Sequence, residues 1–181
     1  PTETIEQLAD QLARFEREEV EADALGDDLA AVRDQDIARA MKELSIEGMA
    51  RLLVILPDER RAGVFGFLEP ETQYALVETL DEAIAREVLE GQRPDNLTAL
   101  LEHIGTEEGE TVVRLLSPHR VQQALRLLGY PPESAGRLMT PEFISLHPDW
   151  TLARALEYVQ QHAGRSETID TLYVTDARGR L

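Results

Sequence analysis

Residues 45–56 read Ser-Ile-Glu-Gly-Met-Ala-Arg-Leu-Leu-Val-Ile-Leu, and residues 117–128 read Ser-Pro-His-Arg-Val-Gln-Gln-Ala-Leu-Arg-Leu-Leu. Each is one turn of a twelve-residue beat. Leucine-like residues fall at Leu44, Leu56, Leu68, Leu80, Ile104, Leu116 and Leu128, with Gln92 alone out of character. A second row keeps the same step at Leu53, Phe65, Val77, Leu89, Leu101, Val113 and Leu125, and a third at Leu52, Val64, Leu76, Val88, Leu100, Val112 and Ala124. Self-similarity at a fixed period marks stacked repeat units, each burying its apolar side against its neighbours.

Within a unit the apolar residues stand at i, i+3, i+4 and i+7, as in Met49, Leu52, Leu53 and Leu56, which is one stripe of an α-helix. One unbroken helix cannot carry the pattern, because twelve steps of roughly 100° turn the stripe by about 120° per unit. The helix therefore stops and restarts, at Ser45, Pro57, Glu69-Pro70, Asp81, Arg93-Pro94, Gly105-Thr106 and Ser117-Pro118. Proline suits the first helical position, and polar side chains can cap the free N–H groups there. Glu47, Glu59, Glu71, Asp95 and Glu107 recur in the first turns, where negative charge suits the helix dipole. The expected fold is mainly α: an armadillo-like superhelical stack of about eight to ten short helices, eight of them between Arg33 and Leu128 with Asp36–Leu44 counted first. Ahead of it, Ile5, Leu8, Leu12 and Phe15 form another stripe, ended near Gly26, with Leu29 and Val32 leading into the repeats; these are read as a cap on the open end.

The 181 residues carry a formal charge of −17 and no cysteine. Disulfides, thiolate metal sites and cysteine nucleophiles are thereby excluded. The acidity argues against nucleic acid and anionic lipid as partners, and leaves divalent cations and basic partners. No apolar run approaches the length of a membrane span.

After Leu128 the beat ends. Gly129-Tyr130-Pro131-Pro132 and Thr140-Pro141 read as a connector, residues 129–142, between a helical domain at 1–128 and a second one at 143–181. In the second, Phe143-Ile144-Ser145-Leu146 reads as a strand. Thr151 caps a helix with the stripe Leu152, Ala155, Leu156 and Val159, ending near Gly164, and Leu172-Tyr173-Val174 reads as a second strand. Asp176-Ala177-Arg178-Gly179 makes a turn, and Arg180-Leu181 starts a third strand, so this domain is expected to be a truncated α/β unit.

The junction Tyr130-Pro131-Pro132-Glu133-Ser134-Ala135-Gly136-Arg137-Leu138-Met139-Thr140-Pro141-Glu142-Phe143 resembles the segment that joins the helical N domain to the first cystathionine-β-synthase (CBS) domain in MgtE-type magnesium transporters. Pro148-Asp149-Trp150-Thr151 and Leu172-Tyr173-Val174-Thr175-Asp176 are similar to the opening of that CBS domain, and the repeats to the N domain. The resemblance implies the regulatory part of a transporter at the cytoplasmic face of the membrane, homodimeric in the intact protein, with a CBS pair and a transmembrane domain as its partners. It implies a Mg²⁺ sensor in which ions bridge acids of the N and CBS domains. Asp95, in Arg93-Pro94-Asp95-Asn96-Leu97, is the metal ligand it points to. Asn96 and Ala99 stand where comparable members can carry further carboxylates, and Gly63 replaces an acid.

An enzyme is not expected. His103, His119, His147 and His162 lack metal-ligand spacing, and Ser134-Ala135-Gly136 lacks the glycines and lysine of a phosphate loop. No ATP binding is expected of this stretch alone. The competing reading is a protein-interaction scaffold similar to the helical modules of the flagellar motor switch, in which Mg²⁺ plays no part.

Overall fold

The computed structural model describes residues 2–17, 19, 22–131, 133–139, 143–163, 169 and 171–180, which fall into two compact units, residues 1–137 and 138–181. The first unit holds α1 (Thr2–Glu16), α2 (Ala22–Leu29), α3 (Asp34–Met41), α4 (Ile46–Ile55), α5 (Asp58–Gly66), α6 (Pro70–Thr79), α7 (Glu82–Glu90), α8 (Pro94–His103), α9 (Thr106–Leu115) and α10 (Pro118–Leu128), then the short α11 (Ala135–Leu138). From α3 to α10 there is one helix per twelve-residue unit, as the beat requires.

Helices two units apart pack on one another. α1, α3, α5, α7 and α9 follow in one layer, and α2, α4, α6, α8 and α10 in the other. A stripe of about 100° width buries itself against the neighbour in its own layer and against the opposite layer. The row Leu52, Val64, Leu76, Val88, Leu100, Val112 and Ala124 is sealed along its whole length, at 1% exposure or less. The row beside it is buried at Leu53, Phe65, Val77 and Leu89, half-buried at Leu101, and exposed at Val113 and Leu125. These last two sit on the final helices of the stack, where no further repeat follows to cover them.

Gln92, the exception in the leucine row, is buried. Its amide donates to the carbonyls of Ala62 (2.9 Å) and Val88 (2.8 Å), so a polar side chain occupies a leucine position with its donors satisfied. Gln73 does the same towards the Phe65 carbonyl at 2.9 Å.

Two expectations need correction. Gly26 does not end the leading helix: α1 stops at Glu16, and Gly26 lies inside α2, whose Leu25 and Leu29 are buried one turn apart. Side-chain capping is not the general device. Among the described caps only Ser45 and Thr151 accept from a first-turn N–H, those of Gly48 at 3.0 Å and Arg154 at 3.4 Å, while Asp81 and Ser117 do not cap. The helix expected after Thr151 is α12 (Leu152–His162), whose stripe is uncovered: Leu152 and Leu156 are exposed and no residue of the helix is fully buried.

In the second unit β1 (Ser145–Leu146) pairs in parallel with β2 (Tyr173–Val174), Ser145 opposite Tyr173. α12 lies between them in the chain. The turn after β2 is built on Asp176, whose carboxylate accepts the N–H groups of Arg178 and Arg180, and Gly179 supplies the positive φ of 73° that the turn needs. Thr140, Pro141, Gly164 and Leu181 lie outside the described residues.

Candidate metal-ligating site

Asp95 enters the structure on the first turn of α8. Arg93 precedes a proline and is held extended, at φ −66° and ψ 147°, and Pro94 opens the helix with its fixed φ and no idle N–H. Asp95 follows, within the field of the unsatisfied N–H groups of the first turn. Thr98, one turn on and buried, donates its hydroxyl to the Pro94 carbonyl at 2.7 Å and ties this turn together.

The two oxygens of Asp95 differ. Oδ2 faces Arg93, 3.4 Å from Nη2. Oδ1 is buried and accepts no hydrogen bond. A carboxylate oxygen withdrawn from water without a donor is costly, and either a water or a cation at the carboxylate lowers that cost. The side chain is 23% exposed, which leaves it open on one side.

The neighbouring positions are not acids, and the packing shows what two of them meet. Asn96 is half-buried with its amide against Gly66 of α5, where an added Cβ would stand 3.0 Å from Nδ2. Gly63 faces the carboxylate of Asp34, into which a Cβ would run. Ala99 is exposed. Among the described residues no three of His, Asp or Glu converge on a point. Asp95 can thus offer a cation one carboxylate, and the described residues form no closed cage around it.

The far end of α8 is tied to its surroundings by charge. His103 Nε2 lies 2.6 Å from Glu71 Oε1 at the start of α6, and Glu102 lies 3.7 Å from Arg137 Nη2 in α11. Glu71 titrates below the usual glutamate value, chiefly because its own backbone N–H binds the carboxylate and next because of His103. His147 and His162 make local contacts, with Asp149 and with the Tyr158 carbonyl. In the second unit a cavity of about 330 Å³ is lined by Pro148, Val174, Thr175, Asp176 and Arg180. Arg180 engages Asp176 and holds its carboxyl below the usual range. The sequence reading passed over Arg93 as a partner of Asp95. The basic and acidic residues flanking one proline were the available signal.

Fold and site together define an acidic helical-repeat module followed by a small parallel α/β unit. The family described as the MgtE intracellular N domain matches residues 32–133, and the CBS domain family matches residues 135–181. The chain belongs to the MgtE N-domain family and continues into a CBS domain. It is 32% identical over 161 residues to the magnesium transporter MgtE of Thermus thermophilus, covering 87% of this chain and 36% of that protein. Against MgtE of Bacillus subtilis it is 27% identical over 146 residues, covering 81% of this chain and 32% of the relative. The chain thus spans about a third of the length of these relatives. A solved structure of the cytosolic domain of the Mg²⁺ channel MgtE in complex with ATP matches with a TM-score of 0.83 at 30% identity, over 96% of this chain and 71% of that one. The soluble part of a magnesium transporter matches with a TM-score of 0.79 at 22% identity, over 96% and 68%, and shows the fold alone. No helix among the described residues is long and apolar enough to cross a membrane.

Proposed function

We propose that this chain is the cytosolic regulatory region of a magnesium transporter, and that it senses Mg²⁺ through acids shared between its helical module, read from the repeat as residues 1–128, and the CBS part of the whole protein. Asp95 is the ligand from the helical side. The observation that carries the reading is the Asp95 carboxylate as a whole: Oδ1 is buried with no donor within the protein, and Oδ2 is the oxygen from which a cation can offset the charge the two share. Support of a second kind comes from the family: the relatives matched over most of this chain are magnesium transporters.

The physics is a balance of charges. Carboxylates brought together by two modules repel, more so where water is partly excluded. Mg²⁺ takes oxygen ligands at about 2.0–2.1 Å and retains several waters, so one or two carboxylates per module suffice to bind it. An ion that binds the closed arrangement better shifts the population towards it by the difference in affinity. The whole protein is then a homodimer embedded in the membrane, with this region at the cytoplasmic face, and no nucleic acid or catalytic chemistry enters its work.

The test is a Mg²⁺ titration of the whole protein, followed by hydrogen exchange across α8. Millimolar Mg²⁺ is expected to slow exchange there, and Asp95→Asn to demand more ion for the same protection. Exchange that ignores Mg²⁺, or a response untouched by Asp95→Asn, overturns the reading.

A further inference from the structure

We propose that Arg93 competes with the divalent cation for Asp95 and so sets the concentration at which the region responds. This rests on Asp95 being an ion ligand, as argued above, and adds the residue that tunes it.

The geometry makes the competition direct. Oδ1 of Asp95 is enclosed by the protein, which leaves Oδ2 as the oxygen a hydrated ion can reach. Arg93 already stands at that oxygen, with Nη2 3.4 Å away. Its backbone cannot drift from the site, because the following Pro94 keeps it in the extended conformation at φ −66° and ψ 147°. The guanidinium itself can move: its side chain is 54% exposed on a long stem. An ion seated about 2 Å from Oδ2 would lie within a few ångströms of the guanidinium, and two cations so close repel. Mg²⁺ must displace the arginine.

This gives Arg93 a role distinct from that of a ligand. With the arginine docked, the charge of Asp95 is offset in part from Oδ2, while Oδ1 stays without a donor. With the ion bound, the Arg93 guanidinium gives up Oδ2. The threshold therefore reflects a difference between two pairings of one carboxylate. An exposed arginine–carboxylate pair is worth a factor of up to about five in an equilibrium constant, which sets the scale of the tuning.

The experiment compares Mg²⁺ titrations of the whole protein and its Arg93→Gln, Arg93→Met, Arg93→Lys and Asp95→Asn variants. The readouts are hydrogen-exchange protection over residues 93–103 and the thermal midpoint without metal. The neutral variants are expected to lower the Mg²⁺ midpoint about two- to fivefold, and Arg93→Lys, which keeps the charge, to stay near the parent. Arg93→Met retains the apolar stem, so at least one neutral variant keeps the metal-free midpoint of the parent. A neutral variant that folds and leaves the Mg²⁺ midpoint unchanged or raised, while Asp95→Asn weakens the response, overturns the competition and leaves the ion site standing. An Asp95→Asn variant that responds as the parent overturns both.

Discussion

The carboxylate of Glu16, the last residue of α1, accepts both the backbone N–H of Ser45, at 2.9 Å, and its hydroxyl, while the same hydroxyl oxygen accepts the N–H of Gly48 in the first turn of α4. The arrangement recurs six units further on, where Glu90 at the end of α7 takes the N–H and hydroxyl of Ser117 ahead of α10, with its Oε2 3.1 Å from the hydroxyl. A glutamate closing one helix thus holds the serine that opens another three helices later. Gly48 leaves room for it, since a Cβ there would stand 2.5 Å from Glu16 Oε1. Replacing Glu16 by Ala removes a charged acceptor from a helix start and is expected to cost about 1–2 kcal/mol in urea denaturation.

The same contact makes stability depend on acid. The hydroxyl of Ser45 first, then its backbone N–H, hold the Glu16 carboxyl below its ordinary value of 4.5. The folded state therefore favours the ionised form more than the unfolded chain does, and this stabilisation is present above the unfolded value and fades as pH falls through the folded one. The stability gap between the parent and Glu16→Gln should be constant near neutrality and narrow below about pH 4.5. A gap that widens on acidification would refute the linkage.

Rows of the repeat differ in what a truncation costs. Leu76 is fully enclosed in the sealed row, whereas Leu125, one of the same type at the end of its own row, is 59% exposed. Leu76→Ala should destabilise by about 2–5 kcal/mol, the range for a buried leucine that leaves a cavity. Leu125→Ala should fall within about 0.5 kcal/mol of the parent. Thermal and urea denaturation of the two variants side by side measure the contrast, and equal losses would mean that the end of the stack is covered.

The repeat was legible in the sequence because burial in a two-layer stack repeats with the unit: Leu52, Val64, Leu76, Val88, Leu100, Val112 and Ala124 meet the same surroundings seven times over. Gln92 was legible only as a break, since nothing local shows that the carbonyls of Ala62 and Val88 await its amide. The same holds for Ser117, whose residue type suits a cap but whose hydroxyl is drawn to Glu90, 27 positions away in the chain. Gly26 misled because glycine stops a helix only where the chain must turn, and between the buried Leu25 and Leu29 it need not. At the site, Asp95 was reached through the family resemblance. The unequal lives of its two oxygens depend on burial and on Arg93, which spacing alone does not reveal.

Gly63, where the family resemblance leads one to expect an acid, offers the sharpest test of the helical module. It sits on α5 facing Asp34, the first residue of α3, whose Oδ1 accepts Arg60 Nε at 2.9 Å. Arg60 also donates to the carbonyl of Leu29, at 2.7 Å, and to that of Val32, so one guanidinium fastens the end of α2 and the loop after it to α5. A side chain at 63 would push into this cluster, and a carboxylate would add repulsion from Asp34. Gly63→Ala is expected to cost about 1–3 kcal/mol from crowding, and Gly63→Asp more, with Gly63→Asp combined with Asp34→Asn recovering the electrostatic part but not the steric part. Urea denaturation at neutral pH measures all three. Should Gly63→Asp fold as stably as the parent, the position has room that the packing denies it; should the variants destabilise in this order, the Arg60–Asp34 clasp occupies the position.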